Sequence, residues 1–268
     1  MSFDVEKIFD ETVEGVPPAP AENFKFGITI EKYTGNAEVV EIPDEVDGLP
    51  VTKIGEFAFN KCKNLTQIKI PNTVTEIAKA AFQYCSSLTE VQLPPSVTKI
   101  GNHAFCICKS LTKINIPAGV KKIERATFVG CASLTEIIIP EGVTVIDDFA
   151  FGVITDSADK KDYYCKSLTK VQLPNSLTKI GKYVFRRCES LTEIKIPEGV
   201  IEIGKWAFSL CTGLTEIKIP DSVKIIGDDI VEGCENLKRV HINTSNWSYA
   251  DIQRIFGKNP QFEILPLE

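Results

Sequence analysis

The chain has 268 residues, 43% of them hydrophobic, and a formal net charge of −6 at pH 7. This composition supplies enough apolar surface for a continuous core. The acidic balance argues against nucleic acid as a partner, because binding phosphates requires a basic stripe on the surface. No apolar stretch approaches the roughly 18 residues that cross a bilayer, so membrane insertion is not expected.

Residues 1–22 are predicted to form a short helix followed by a stiff, proline-rich spacer. The apolar residues of segment 4–14 lie near helical spacing, which predicts an amphipathic helix. They are Val5, Ile8, Phe9 and Val13. The chain start lacks the basic residues and the apolar run of a secretory signal. We therefore expect a cytoplasmic protein, or a cell-surface protein if a signal peptide has been removed from the chain.

Residues 23–243 are predicted to form a repeat domain that opens with a hairpin. Segment 24–33 alternates like a strand, residues 34–36 form a turn, and segment 39–42 returns. A stack of parallel strands has an open end with unpaired backbone groups. We therefore expect this hairpin to cover the first end of the stack.

The stretch from Leu191 to Cys211, LTEIKIPEGVIEIGKWAFSLC, recurs in variant form along most of the chain with a period of 23 residues. A repeat of this length indicates a solenoid, whose turns bury their apolar faces only against each other. Each copy opens with a leucine. These leucines are Leu65, Leu88, Leu111, Leu134, Leu168, Leu191, Leu214 and Leu237.

Each repeat is predicted to contain a strand on Thr-x-Ile-x-Ile, a proline that stops it, a second extended segment and a closing Ala-Phe-x-x-Cys. The closing segment is predicted to form one helical turn whose phenylalanine fills the interior. Stacked copies would then form an aromatic spine. Its members are Phe59, Phe82, Phe105, Phe128, Phe151, Phe185 and Phe208.

Eight of the nine cysteines follow the repeat, and only Cys106 does not. Equivalent residues in adjacent turns lie about 4.8 Å apart with parallel side chains, which is poor geometry for a disulfide. We therefore predict a ladder of buried thiols. Its members are Cys62, Cys85, Cys108, Cys131, Cys165, Cys188, Cys211 and Cys234.

Two segments depart from the repeat. Residues 152–164 form an insertion between Phe151 and Cys165, predicted to loop out on the return face. Residues 244–268 are predicted to form a C-terminal cap, with a helix that starts near Ser248 and an edge strand after it.

The repeating unit Leu-x-x-Ile-x-Ile-Pro-x-x-Val-x-x-Ile-Gly-x-x-Ala-Phe-x-x-Cys resembles the BspA-like class of leucine-rich repeats over about three quarters of the chain. The resemblance implies an α/β, right-handed solenoid (horseshoe) with short parallel strands, capped here at both ends. It also implies a bacterial role in protein binding, often as a surface adhesin in cell adhesion, and no catalytic residues.

The strand face is the first candidate site, since in leucine-rich repeats it is normally the concave, partner-binding face. Its charges alternate in sign from Glu90 to Glu193. They could pair with one another and leave a bland solvated surface, or contact a polar partner. The residues predicted to bind are Glu136, Lys170, Gln172, Glu193, Lys195 and Lys218.

The return face is the second candidate, because aromatic residues stand beside the insertion. These are Phe149, Tyr163, Tyr164, Tyr183 and Trp206. They could anchor a protein partner, or the insertion could fold down and cover them. If they bind, deleting 153–163 and replacing Trp206 by alanine should weaken binding and leave the fold intact.

Chemistry at other sites is not expected. His103, Cys106 and Cys108 could suggest a metal site, but Cys108 belongs to the ladder and the three side chains should diverge. The chain contains two histidines, His103 and His241, in distant turns, and no nucleophile or phosphate-loop motif. We therefore predict a non-enzymatic protein-binding scaffold, or alternatively an exported adhesin that binds host or matrix proteins. No metal, cofactor or small-molecule ligand is expected.

Overall fold

The computed structural model describes residues 3–8, 27–155, 160–257 and 260–267, and these form a parallel β-solenoid. Each turn of the solenoid has three sides: two short strands and one segment of tight turns. The strands are, in chain order, β1 (Phe3–Ile8), β2 (Gly27–Tyr33), β3 (Val39–Glu41), β4 (Glu45–Val46), β5 (Leu49–Ile54), β6 (Gln67–Lys69), β7 (Glu76–Ile77), β8 (Glu90–Gln92), β9 (Lys99–Ile100), β10 (Lys113–Asn115), β11 (Lys122–Ile123), β12 (Glu136–Ile138), β13 (Val145–Ile146), β14 (Ile154–Thr155), β15 (Asp162–Tyr163), β16 (Lys170–Gln172), β17 (Lys179–Ile180), β18 (Glu202–Ile203), β19 (Glu216–Lys218), β20 (Ile225–Ile226), β21 (Arg239–His241) and β22 (Glu263–Leu265).

The first side carries the strands predicted on Thr-x-Ile-x-Ile, and the prediction is confirmed. They pair in parallel and in register within three separate sheets, β3-β6-β8-β10, β12-β16 and β19-β21-β22, as in Gln67–Glu90 and Lys113–Glu90. The central residue of each strand is buried and its two neighbours face solvent. Threonines before the strands add a second ladder, since the hydroxyl of Thr89 donates to the carbonyl of Thr66 and that of Thr112 to Thr89, both at 3.1 Å.

The second side carries two parallel ladders, β2-β5-β7-β9 and β11-β13-β17-β18-β20, with two-residue strands from β7 onward, which confirms the predicted second extended segment. Lys53 lies beside Glu76, and Glu202 beside Ile225. The glycine that follows is required by close approach between turns. A Cβ on Gly204 would lie 2.5 Å from the carbonyl carbon of Gly181, and one on Gly227 would lie 2.2 Å from the amide nitrogen of Lys205.

The third side contains tight turns, so the predicted helical turn around each phenylalanine is wrong. Residues two before and two after the phenylalanine have positive φ, as at Trp206 (56°) and Leu210 (59°). Alternate amides donate to the next turn of the solenoid: Phe208 donates to the carbonyl of Ile230 at 2.8 Å. The amides between them donate within their own turn, as Ser209 does to the carbonyl of Trp206 at 3.3 Å, so the backbone donors of this segment are satisfied without a helix.

The predicted aromatic spine is confirmed and lies on the axis of the core. Consecutive rings stack with centroids 5.1 to 5.8 Å apart, and all seven phenylalanines are fully buried. The spine continues beyond the repeats, because Tyr33 stacks on Phe59 at 5.3 Å and Phe3 packs on Tyr33 at 5.5 Å.

The cysteine ladder is also confirmed. None of the nine cysteines forms a disulfide, and Cys62 is the one ladder member that is not buried. From Cys85 onward, each ladder thiol donates to the carbonyl oxygen of the spine phenylalanine in the preceding turn. The bond is 3.2 Å from Cys108 to Phe82 and 3.1 Å from Cys165 to Phe128. Cysteine therefore combines a small apolar side chain with a donor for an otherwise buried acceptor.

The N-terminal end differs from both predictions made for it. Residues 4–8 belong to strand β1, so the predicted helix is wrong there; residues 9–14 lie outside the described residues. Strand β2 does not pair with β3, so the predicted hairpin is wrong as well. Instead β1 pairs antiparallel with β2, β2 pairs in parallel with β5 on the second side, and β3 pairs with β6 on the first. Segment 27–41 is thus a partial repeat, with Tyr33 in the position of the spine phenylalanine.

The C-terminal end contains the predicted helix and strand. A 3₁₀ turn (Thr244–Asn246) leads to helix α1 (Tyr249–Phe256). Ser248 and Asp251 form the predicted N-cap as a reciprocal capping box. The helix buries Ile255 and Phe256, and the amide of Ile230 donates to the carbonyl of Ile255 at 3.1 Å. Strand β22 pairs in parallel with β21. Among the described residues, no helix has the length and hydrophobicity that a membrane crossing requires.

Candidate protein-interaction surfaces

The strand face consists of the two outward-pointing residues of each first-side strand, and the repeat aligns them in two columns along the solenoid. The first column runs through Gln67, Glu90, Lys113, Glu136, Lys170, Glu193, Glu216 and Arg239. The second runs through Lys69, Gln92, Asn115, Ile138, Gln172, Lys195, Lys218 and His241. All six strand-face residues predicted to bind therefore share one surface. The prediction that they bind a partner remains a prediction.

The alternating charges at the centre of the strand face do not pair. Within the described residues, no ion pair of 4.0 Å or less joins Glu90, Lys113, Glu136, Lys170 or Glu193 to another charged group. At the C-terminal end of the first column, by contrast, Glu216 contacts Arg239 at 2.6 Å. The interpretation of this face as a ladder of self-paired charges is therefore wrong over its central turns.

Neighbouring charges on the second side do pair, which makes the strand face distinctive. Glu76 lies 3.6 Å from Lys53 and 3.0 Å from Lys99. Lys179 lies 2.9 Å from Glu202. Glu90 lies directly opposite Lys113, and Glu136 opposite Lys170, in hydrogen-bonded strands, as Lys179 lies opposite Glu202. Strand pairing alone therefore does not decide which charges form ion pairs. The strand-face charges are available to a partner without first breaking an internal ion pair.

A groove of about 750 Å³ lies on the strand face over the turns from β16 to β19. The strand ladder is reduced there to a single parallel bridge between Lys195 and Lys218. The charged residues that line the groove are Lys170, Glu193, Lys195, Glu216 and Lys218. Two large apolar side chains of the strand face are exposed, Val39 in β3 (57%) and Ile138 in β12 (58%).

The predicted aromatic row on the return face is present, but its rings already have partners. Phe149 stacks on Tyr183 with centroids 4.5 Å apart, and Tyr183 lies 5.0 Å from Trp206. All three rings are half-buried. Cations cover their outer faces: Arg125 lies over Phe149, Arg186 over both Tyr183 and Trp206, and Lys205 over Trp206. The row therefore presents arginine and lysine to solvent more than open aromatic faces.

The described parts of the insertion, residues 152–155 and 160–164, pack on the return face. Strands β14 and β15 form a short antiparallel pair. Arg187 fastens this pair to a later turn, because it lies 2.6 Å from Asp162 and stacks 4.3 Å over the ring of Tyr164. On the other side, Lys109 lies 4.5 Å over the ring of Tyr163. Both tyrosines are half-buried, so the insertion contacts turns before and after its own.

A small apolar cluster lies beneath the insertion, separate from the main core, and sequence reasoning missed it. Its buried members are Cys106, Ile107, Ala126 and Val129, and the partly buried residues packed on it are Tyr84, Phe149, Ile154 and Tyr163. The signal was available: the two positions after the spine phenylalanine are Arg186 and Arg187 in a later turn, but Cys106 and Ile107 here. Deleting 153–163 would expose this cluster, so we no longer expect that deletion to leave the fold intact.

The residues considered for a metal site point in different directions. Cys106 lies in the cluster under the insertion, whereas Cys108 lies in the main core and donates to the carbonyl of Phe82. Burial, followed by the charges of Arg125 and Lys79, lowers the pKa of His103. The described residues contain no group of three or more histidine, cysteine or acidic side chains that could hold a metal ion.

Comparison with known proteins places the chain in a family. The family model described as BspA type leucine rich repeat region matches residues 52–158 and 155–254. The solved structure of the T. pallidum leucine-rich repeat protein TpLRR is similar, with a TM-score of 0.63 and 31% identity over 74% of this chain and 85% of that one. A leucine-rich cell surface protein from Faecalibacterium prausnitzii A2-165 has a TM-score of 0.38 and 27% identity, over 90% of this chain and 91% of that one. A search of curated proteins found no match. The chain belongs to the BspA-type leucine-rich repeat family.

Proposed function

We propose that this protein is a non-catalytic scaffold that binds a protein partner on its strand face. One observation carries the proposal: the central charges of that face are exposed and, within the described ranges, form no ion pair, while neighbouring charges on the second side do. A surface of fixed, alternating charges favours a partner of complementary pattern and discourages others, and it accelerates encounter. The face lacks aromatic anchors, so we expect a polar interface of modest affinity.

The return face is the weaker candidate. Its aromatic rings are stacked on one another and covered by cations, and Tyr163 is packed into a cluster of the chain's own residues. An interface there would have to displace these contacts first. We therefore assign the insertion a structural role. Partner binding at Phe149, Tyr183 or Trp206 is the alternative that the experiment below also tests.

The experiment is affinity capture from a lysate of cells that carry the native gene. A charge swap, Lys113→Glu with Glu136→Lys, inverts the strand-face pattern and leaves the net charge unchanged. The matched control is Lys179→Glu with Glu202→Lys, which inverts an ion pair on the second side. We expect the first swap to remove captured proteins that the control and Trp206→Ala retain. Loss with Trp206→Ala and retention with the strand-face swap would overturn the proposal.

The location of the protein is a separate question. The family resemblance supports a surface adhesin as the second candidate, and surface labelling of intact cells tests it directly. Counting oxidised thiols would not separate the two locations, because the buried ladder thiols have raised pKa values and are chemically inert wherever the protein resides. Labelling of the native gene product on intact cells supports the adhesin; labelling only after lysis contradicts it.

A further inference from the structure

We propose that the strand face between β16 and β19 binds an extended acidic segment of a partner protein, with Lys195 and Lys218 holding its carboxylates. This inference rests on the proposed function and adds the chemistry of the partner. It is carried by an imbalance of charge within the groove of about 750 Å³.

Lys195 and Lys218 are direct neighbours of like charge. They face each other across the parallel bridge, at the strand spacing of about 4.8 Å, and both side chains are exposed. Within the described part of the chain, neither has an acidic group within 4.0 Å. Like charges directly opposite each other destabilise a sheet. A carboxylate from a partner that contacts both lysines would remove this repulsion.

The acidic residues of the groove do not neutralise its lysines. Both carboxylate oxygens of Glu216 face the next turn, one 2.6 Å from the guanidinium of Arg239 and the other 3.2 Å from the imidazole of His241. Among the described residues, Glu193 is then the one acid of the groove without an ion-pair partner, against three lysines. The groove is therefore basic, although the chain as a whole carries a net charge of −6.

A second groove on the same face shows that this imbalance is local. It lies over the turns from β3 to β8 and has a volume of about 630 Å³. There Lys69 pairs with Glu41, and Glu90 has no cation within 4.0 Å among the described residues. The two ends of the strand face thus differ in sign. An acidic partner is attracted to the C-terminal groove and repelled by the N-terminal one.

The groove dimensions suit an extended chain that runs along the solenoid axis, across the strands. Carboxylates two residues apart in an extended segment are separated by about 6.6 Å. Lys170 and Lys195 lie one turn and two residues apart, which corresponds to about 8 Å between their backbones, and flexible lysine stems cover the difference. The floor of the groove includes Val171, Ile194 and Pro197, which can contact the part of the bound peptide that lies between two carboxylates.

A polypeptide fits this charge pattern better than a nucleic acid. Glu193 lies between Lys170 and Glu216 in the first column, on the path of any bound chain. A polyphosphate would place a fixed negative charge beside that carboxylate. A peptide can instead place a neutral or basic residue there, between two acidic ones.

The test is fluorescence anisotropy with the whole protein and a short labelled peptide that alternates aspartate and serine. Measurements at low and physiological salt report the electrostatic share of binding. We expect saturable binding that Lys195→Gln with Lys218→Gln weakens about tenfold and that charge reversal to glutamate abolishes. The matched control is Lys121→Glu with Lys166→Glu, two exposed lysines outside the strand face, and it should bind nearly as the wild type does.

Three results would overturn the inference. The first is no binding by the wild type, and the second is an equal loss in the control and the Lys195/Lys218 variants. The third is equal or tighter binding, with the same lysine dependence, of a single-stranded oligonucleotide of matched charge, which would make the groove a general polyanion site. If peptide binding fails while the Lys113/Glu136 swap still removes captured partners, only the partner chemistry is wrong and the proposed function stands.

Discussion

Phe128 shows how each residue of the spine stabilises the solenoid. Its ring is fully buried between Phe105 and Phe151, with centroids 5.8 and 5.3 Å away. The neighbouring rings are fixed by the backbone ladder and cannot collapse into a cavity. Phe128→Ala should therefore lower the free energy of unfolding by about 3–5 kcal/mol, and Phe128→Leu by less. Urea denaturation measures both; a loss below about 1 kcal/mol for alanine would contradict the packing described.

The ladder thiols make the free energy of unfolding depend on pH in the alkaline range. Burial raises the pKa of Cys165 and of Cys234 to about 12, while an unfolded cysteine titrates near 8.5. Between these values the unfolded chain has lost protons that the folded protein keeps. These thiols therefore leave stability unchanged below about pH 8.5 and lower it above that pH, by about 1.4 kcal/mol per pH unit for each thiol.

Cys165→Ala should flatten this dependence. Between about pH 9 and pH 11 we expect the variant to lose less free energy of unfolding than the wild type does, because one titrating group is gone. Chemical denaturation across the range measures the difference. Parallel curves for the two proteins would show that the thiol does not titrate differently on folding.

At the scale of single residues, the period alone located the ladder and the spine. It could not place Cys106, which is off the period because it belongs to the cluster under the insertion. It also missed Tyr33 and Phe3 as extensions of the spine, because neither lies in a full repeat.

The insertion behaves as a strap that joins several turns. Tyr163 packs on the cluster that contains Cys106, and Lys109 covers its ring. Tyr163→Ala should loosen the strap and expose the thiol of Cys106, while Cys108 stays buried in the main core. Mass spectrometry after native thiol labelling distinguishes the two cysteines, and Lys166→Ala serves as an exposed control. Labelling of Cys106 at the wild-type rate would mean that the strap does not protect it.

At the scale of elements, the local sequence pattern fits both a helix and a strand in segments whose structure is decided by tertiary contacts. Apolar residues Val5 and Ile8 fit a helical spacing, but Phe3 and Val5 also fit the two-residue period of a strand, and pairing with β2 selects the strand. The phenylalanine segments have helix-like spacing as well. Their amides instead bond across turns, a choice that only the stacked neighbours make available.

At the scale of the whole molecule, the repeat predicts which residues share a surface but not whether their charges pair. The repeat period predicts that these residues form two columns. It does not predict that the lysines and glutamates in the columns remain unpaired. Lys179 and Glu202 lie opposite each other in paired strands and form an ion pair, whereas Glu136 and Lys170 lie opposite each other in paired strands and, among the described residues, do not.

Site-specific photo-crosslinking in cells that carry the native gene tests the location of the partner surface most directly. A photoreactive phenylalanine analogue replaces Gln172 on the strand face in one variant, and Lys182 on the return face in another; both side chains are exposed. We predict protein crosslinks at position 172 and none above background at position 182. Crosslinks at position 182 with none at position 172 would contradict the assignment of partner binding to the strand face.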